Sequence, residues 1–230
     1  MRTLIAALLL PVLFGSVGCA STTKQSAGLR KVDDLLGQVE RVHAEALLSR
    51  DRARGAREAL HTLVSAEFQG DPVEAYTRFL EAIDLAKRQS KALRASVSPM
   101  RSSAESVFAR WTKDLEAFQN AELRRRSQTR LADTRRRYDA IIAAVEPYAW
   151  TCEAFDNSLA DHALFLGHDF NAAAVAEISD AVGSLDQQLA EIDRGFEVCD
   201  ATAREYVRAS ALLGQVETAP GAPPAPAAKP

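Results

Sequence analysis

From Val32 onward, apolar and small residues recur in alternating steps of three and four: Val32, Leu35, Val39, Val42, Ala46, Ser49, Ala53, Ala56, Leu60, Leu63. A seven-residue repeat of this kind puts one stripe on one side of a helix and demands a partner helix to cover it. The run predicts a helix of about 36 residues, close to 54 Å at 1.5 Å per residue. Its middle is built from Ala and Ser, so a neighbour can approach closely there. The segment Glu67-Phe68-Gln69-Gly70 breaks the stripe, and Asp71-Pro72-Val73-Glu74 restarts it with an Asp cap, Pro in the first turn and Glu behind it.

The second helix carries Tyr76, Leu80, Ile83, Ala86, Leu93 and Val97, and Ser98-Pro99 is read as its end. A third helix is expected from about Pro99, with Val107, Trp111, Leu115 and Phe118, then a polar stretch from Gln119 to Arg130. Its stripe resumes as Leu131, Tyr138, Ile141, Val145, Tyr148, Cys152, Phe155, Leu159, His162 and Leu166. Pro147 falls inside that run and predicts a kink, because it removes a backbone donor and crowds the preceding turn. After a break at Gly167 to Phe170, Asn171 is placed to cap a last helix with seam Val175, Ile178, Val182, Leu185, Leu189, Ile192, Phe196, Cys199, Ala203, Tyr206, Ser210 and Leu213. No stretch reads as strand. The fold class expected is all-α: an elongated, coiled-coil-like bundle of about four helices, one of them long and kinked. In this picture two shorter helices pack on the first half of the third, and the fourth packs back on its second half. The two-helix arm leaves stripe uncovered, which points to a helical protein partner or a homodimer.

Both ends of the chain differ from this core. Residues 1–18 have Arg2, an apolar stretch from Leu4 to Phe14 and small residues, the layout of a secretory signal peptide, too short to span a bilayer of about 30 Å. Ser16-Val17-Gly18-Cys19-Ala20 follows and resembles a lipobox, in which lipid is attached to Cys19 and the signal is cut before it. Ordinary cleavage after Ala20 is the alternative. An acylated Cys19 holds a membrane firmly, since each buried CH₂ contributes about 0.8 kcal/mol. With Ala20 behind it, the periplasmic face of the outer membrane is the expected address, and a soluble periplasmic protein follows from the alternative cleavage. Residues 19–28 read as a lipid-anchored tether, 29–214 as the helical domain, and 215–230 as a disordered tail holding five of the nine prolines.

A resemblance emerges from three blocks: Asn120-Ala-Glu-Leu-Arg-Arg-Arg-Ser, then Leu131-Ala-Asp-Thr-Arg-Arg-Arg-Tyr-Asp-Ala-Ile-Ile-Ala-Ala, then Leu164-Phe-Leu-Gly-His-Asp-Phe-Asn-Ala. In this order they resemble the bacterial lipoprotein family catalogued as domain of unknown function number 2959, over roughly residues 19 to 212. The resemblance implies a signal-bearing, helical, coiled-coil-rich protein and attaches no activity to it.

Two arginine triplets, Arg124-Arg125-Arg126 and Arg135-Arg136-Arg137, lie eleven residues apart, a spacing that returns to within about 20° on a continuous helix. One reading makes them a basic patch for anionic lipid head groups or lipopolysaccharide phosphates. The other pairs them internally: residues 146–217 hold 14 acidic and 3 basic side chains, and a hairpin at Gly167 to Phe170 runs Glu197, Asp200 and Glu205 beside Arg135 to Arg137. The same hairpin register sets Cys199 opposite Ile141 and Cys152 opposite Leu189, so buried free thiols are favoured over a disulfide, which requires Cα atoms within about 7 Å. His162 and His168 are six apart, where helical zinc pairs use four, so no metal site is assigned. A net charge of −3 argues against a nucleic-acid binder. The residues present no phosphate loop, nucleophile elbow or paired catalytic carboxylates, so no enzyme and no cofactor are assigned. The function expected is a lipid-anchored scaffold or adaptor of the cell envelope, with a periplasmic chaperone-like or membrane-shaping module as the alternative.

Overall fold

A computed structural model describes residues 20–65, 67–168 and 171–210. The signal peptide, Cys19 and the proline-rich tail lie outside these residues. Four long helices account for almost all of them: α1 (Ala20–Val64), α2 (Pro72–Asp114), α3 (Ala121–His168) and α4 (Ala172–Ser210), with one 3₁₀ turn at Leu115–Ala117 between α2 and α3. Among the described residues there is no strand. α1 takes in Ser21 to Gly28, the segment read as a tether.

The helices run up, down, up, down. Each packs against the next, and α4 closes the ring by packing against α1. Gln89 of α2 donates to the Glu45 carbonyl of α1 and Arg94 of α2 reaches Glu153 of α3, both in antiparallel register. Tyr148 of α3 crosses the bundle to donate to the Ala46 carbonyl of α1 at 2.9 Å, and these two helices are parallel. Closure of the ring replaces the expected two-helix arm, since the stripe of α1 is covered by α2 and α4 together. Leu35, Val39, Val42, Ala46, Ser49, Ala53, Ala56, Leu60 and Leu63 are all buried. Phe79, Leu93 and Met100 from α2, Tyr148, Phe155 and Leu159 from α3 and Leu185 and Ile192 from α4 fill the rest of the core.

The helix starts follow from capping. Asp71 accepts from the Val73 and Glu74 amides with Pro72 in the first turn, and Asn171 accepts from Ala173 and Ala174. The division between the second and third helices falls elsewhere than expected. Pro99 sits inside α2, which continues to Asp114. An internal proline costs about 3 kcal/mol relative to Ala, but the stripe continues past it as Met100, Ala104, Val107 and Phe108, all buried, and that packing outweighs the lost bond. The chain turns instead at the polar stretch, where Asn120 accepts from the Leu123 amide at 3.0 Å and starts α3. The expected third helix is therefore the second half of α2 joined by a turn to α3. Pro147 lies inside α3 without ending it, and α4 is a long bent helix.

Candidate functional site

α3 is continuous from Ala121 to His168, so both arginine triplets ride on one helix, about 16 Å apart along its axis. Their side chains take different fates. Arg125 and Arg126 both reach Glu122 on their own helix, at 3.0 and 2.9 Å, while staying 73% and 69% exposed. Arg124 donates to the Phe118 carbonyl, which ties it to the end of the turn. Arg136 pairs with Asp133 one turn back. Arg135 lies over the Phe108 ring at 5.1 Å, a cation–π contact that fastens α3 to α2. Arg137 is half-buried near Tyr206 and donates through Nη2 to Thr134 on its own helix at 3.4 Å, while its Nε is buried without a partner. Five of the six arginines thus remain on the surface, where Leu115, Leu131, Arg135 and Arg136 line an open groove of about 420 Å³.

The acidic half of the chain is neutralised by other arginines. Along the α1–α4 seam, His43 Nε2 lies 2.7 Å from Asp200, Arg50 reaches Glu197 at 3.7 Å, Arg54 reaches Asp193 at 2.7 Å and Arg57 holds Asp186 through two bonds. On the α2–α3 seam, Arg94 pairs with Glu153 and stacks on Trp150, and Arg101 pairs with Glu146. Six carboxylates of residues 146–210 are paired across helices in this way, but Glu197 and Asp200 face α1 instead of the second arginine triplet. The Asp200 carboxyl, desolvated yet held by His43 and Arg204, lies below its ordinary range.

The bundle core holds a polar layer that the periodicity did not mark. Asp156 is 2% exposed and sits with Ser90 of α2 and near Lys87, while its Oδ2 has no partner. Burial pushes its carboxyl up to about 6, with Ser90 and Lys87 pulling the other way. Ser49 of α1 is buried as well. The only advance signal was a serine, Ser49, on the apolar seam.

Cys152 and Cys199 are free and buried, as the hairpin register favours. Cys199 shares a narrow gap with Ile141, its expected neighbour, and with Val145. Burial pushes both thiols up to about 12, so neither is poised as a nucleophile. Tyr148, whose hydroxyl is pushed above its ordinary value by burial, lies beside them. His162 Nδ1 lies 2.6 Å from the Ser158 carbonyl and His168 ends α3. Among the described residues no group of three or more His, Cys, Asp or Glu converges, and no helix is long and apolar enough to cross a membrane.

A family model described as protein of unknown function (DUF2959) matches residues 21–209, which is most of the chain. No curated protein and no solved structure matches it.

Proposed function

The chain belongs to this family of unknown function, and we propose that it is a non-enzymatic scaffold or adaptor of the bacterial cell envelope, held to the membrane by lipid on Cys19 and presenting a helical rod to a protein partner or a second copy. α3 alone, at 48 residues, is about 72 Å long. The observation that carries the reading is the division of labour among arginines. Arg50, Arg54 and Arg57 of α1 and Arg94 and Arg101 of α2 are used in interhelical pairs, whereas Arg124, Arg125, Arg126, Arg135 and Arg136 stay on the surface, and the carboxylates that three of them meet are on their own helix, as are those met by Arg78 and Arg110 of α2. Surface pairs of that kind add about 0–1 kcal/mol each, so they give way readily to an anionic surface. The address that fits is the periplasmic face of the outer membrane.

Flotation of the full chain with vesicles, neutral or containing phosphatidylglycerol, tests the anionic contact. Retention that grows with the anionic fraction and drops when Arg124, Arg125, Arg126, Arg135 and Arg136 are changed to Gln supports it; retention indifferent to both overturns it. Copurification from cell envelopes tests the scaffold: one partner, or a second copy, at fixed stoichiometry supports it, and a chain that elutes alone and monomeric overturns it.

A further inference from the structure

The bundle is electrically lopsided along its axis, and its basic end is the end at which α1 begins. Tyr148 of α3 meets the Ala46 carbonyl of the parallel helix α1. Counting back 26 residues on each, about 39 Å at 1.5 Å per residue, sets Ala20 level with Glu122. The antiparallel pair Gln89–Glu45 sets Asp114 of α2 at the same level. The first residue of α1 therefore lies beside the α2–α3 turn and within about one helical turn, axially, of Arg124, Arg125 and Arg126. Leu123, 51% exposed, is in the same place.

Charge follows the same axis. Residues 20–35, 99–137 and 207–210, which build this end, carry 14 basic and 7 acidic side chains. Residues 54–65, 67–80, 156–168 and 171–187, which the same contacts bring level with one another at the opposite end, carry nine acidic side chains and three basic, Arg54, Arg57 and Arg78. The helices that separate the two ends are much longer than the screening length of about 8 Å at physiological salt, so each end meets a charged surface on its own terms.

We infer that the bundle stands on its α2–α3 end, with Leu123, Arg124, Arg125 and Arg126 set against the anionic lipid phosphates of the membrane that holds the chain and the acidic α1–α2 end pointing away. This orientation rests on the envelope reading above and adds to it a contact face and a direction. An attachment at residue 19 delivers this end to the surface, the arginines are attracted by phosphate, and the far end is repelled by it. A rod lying flat would bring its carboxylates down to the same phosphates.

Distances from the membrane test it. The full chain, with Gln128→Cys or Val73→Cys carrying a donor dye, is reconstituted in phosphatidylethanolamine vesicles with or without phosphatidylglycerol and with an acceptor on the lipid head groups. Both positions are exposed, Val73 at 71%; Cys152 and Cys199 are buried, and in any preparation of unacylated mass Cys19→Ser is added first so that the dye reports only the introduced position. By the Tyr76–Ala163 contact, Val73 lies about 57 Å farther along the axis than Gln128. Strong transfer from position 128 with nearly none from position 73 is expected; equal transfer from both, or stronger transfer from 73, overturns the orientation. Adding Arg124→Gln, Arg125→Gln and Arg126→Gln is expected to lower transfer from 128 on anionic vesicles and leave it unchanged on neutral ones, and no change on anionic vesicles removes the triplet from the contact. The mass of the purified chain reads the anchor separately. A chain of unacylated mass that still brings position 128 to the surface keeps the end-on contact and removes the lipid, whereas an acylated chain with equal transfer keeps the lipid and removes the orientation.

Discussion

Gly195 of α4 lies against the ring of Tyr148 so closely that a Cβ built there would stand 2.9 Å from its Cδ2. The tyrosine cannot yield, because it is buried and its hydroxyl is bonded to the Ala46 carbonyl. Gly195→Ala should therefore destabilise the bundle by about 1–3 kcal/mol through overpacking, less the helix preference of about 1 kcal/mol that Ala restores. At Gly183, on the same helix, a Cβ meets nothing within 4 Å. Gly183→Ala should stabilise by about 1 kcal/mol. Urea unfolding followed by circular dichroism checks the pair, and equal midpoints for the two variants would refute the contact.

Asp156 sets a pH dependence of unusual sign. Its carboxyl rises to about 6 in the fold from an ordinary value of 3.8, so the native state binds a proton that the unfolded chain has released. Stability from this group is then fullest below about pH 4 and declines as pH rises through 6, by about 3 kcal/mol in all. Asp156→Asn should remove that decline and raise stability at pH 7.5. Subtracting the variant's profile from that of the parent isolates the effect from carboxylates such as Asp200, whose lowered value acts in the opposite direction. A flat difference between pH 4 and 7 would count against it.

Cys152 and Cys199 should be silent toward alkylation in the folded chain. Both are buried, with thiols raised to about 12, so at pH 8 the thiolate fraction is of the order of 10⁻⁴ and no path leads to it. Iodoacetamide should modify neither in native buffer and both in 6 M guanidinium. Mass spectrometry of the whole chain decides, and a native adduct at either position would place it outside the core.

The helical pattern was legible because burial follows it directly. Nine of the ten seam positions expected in the first helix are buried, and the tenth, Val32, is exposed. Both clear Asx caps, Asp71 and Asn171, also bond as their spacing implies. Two things were not legible. Pro99 reads locally as a stop, but whether a helix absorbs a proline depends on what Val97, Met100 and Ala104 bury against, and that belongs to the assembled bundle. Asn120, not read as a cap from the sequence, starts the helix that follows the real turn. Partner choice failed for the same reason: a hairpin register relates α4 to α3 alone, while Asp186, Asp193 and Asp200 lie on the side of α4 turned to α1. The arginine triplets were identifiable as a patch from spacing, yet the partial burial of Arg137 near Tyr206 depends on where α4 passes.

That α1–α4 contact can be tested through Arg57 and Asp186, joined by bonds of 2.7 and 3.0 Å. Asp186 is about half exposed, so the pair is screened and its coupling should be only about 0.5–1 kcal/mol. Arg57→Asp or Asp186→Arg alone sets like charges face to face and should destabilise by a similar amount. The double exchange restores opposite charges in a poorer geometry and should recover most of the loss. Raising sodium chloride from 0.05 to 1 M should shrink the coupling, because the Debye length falls to about 3 Å. A double-mutant cycle on urea midpoints measures it. Strict additivity at low salt would mean that these two side chains do not meet, and that α4 is not the neighbour of α1 that closes the bundle.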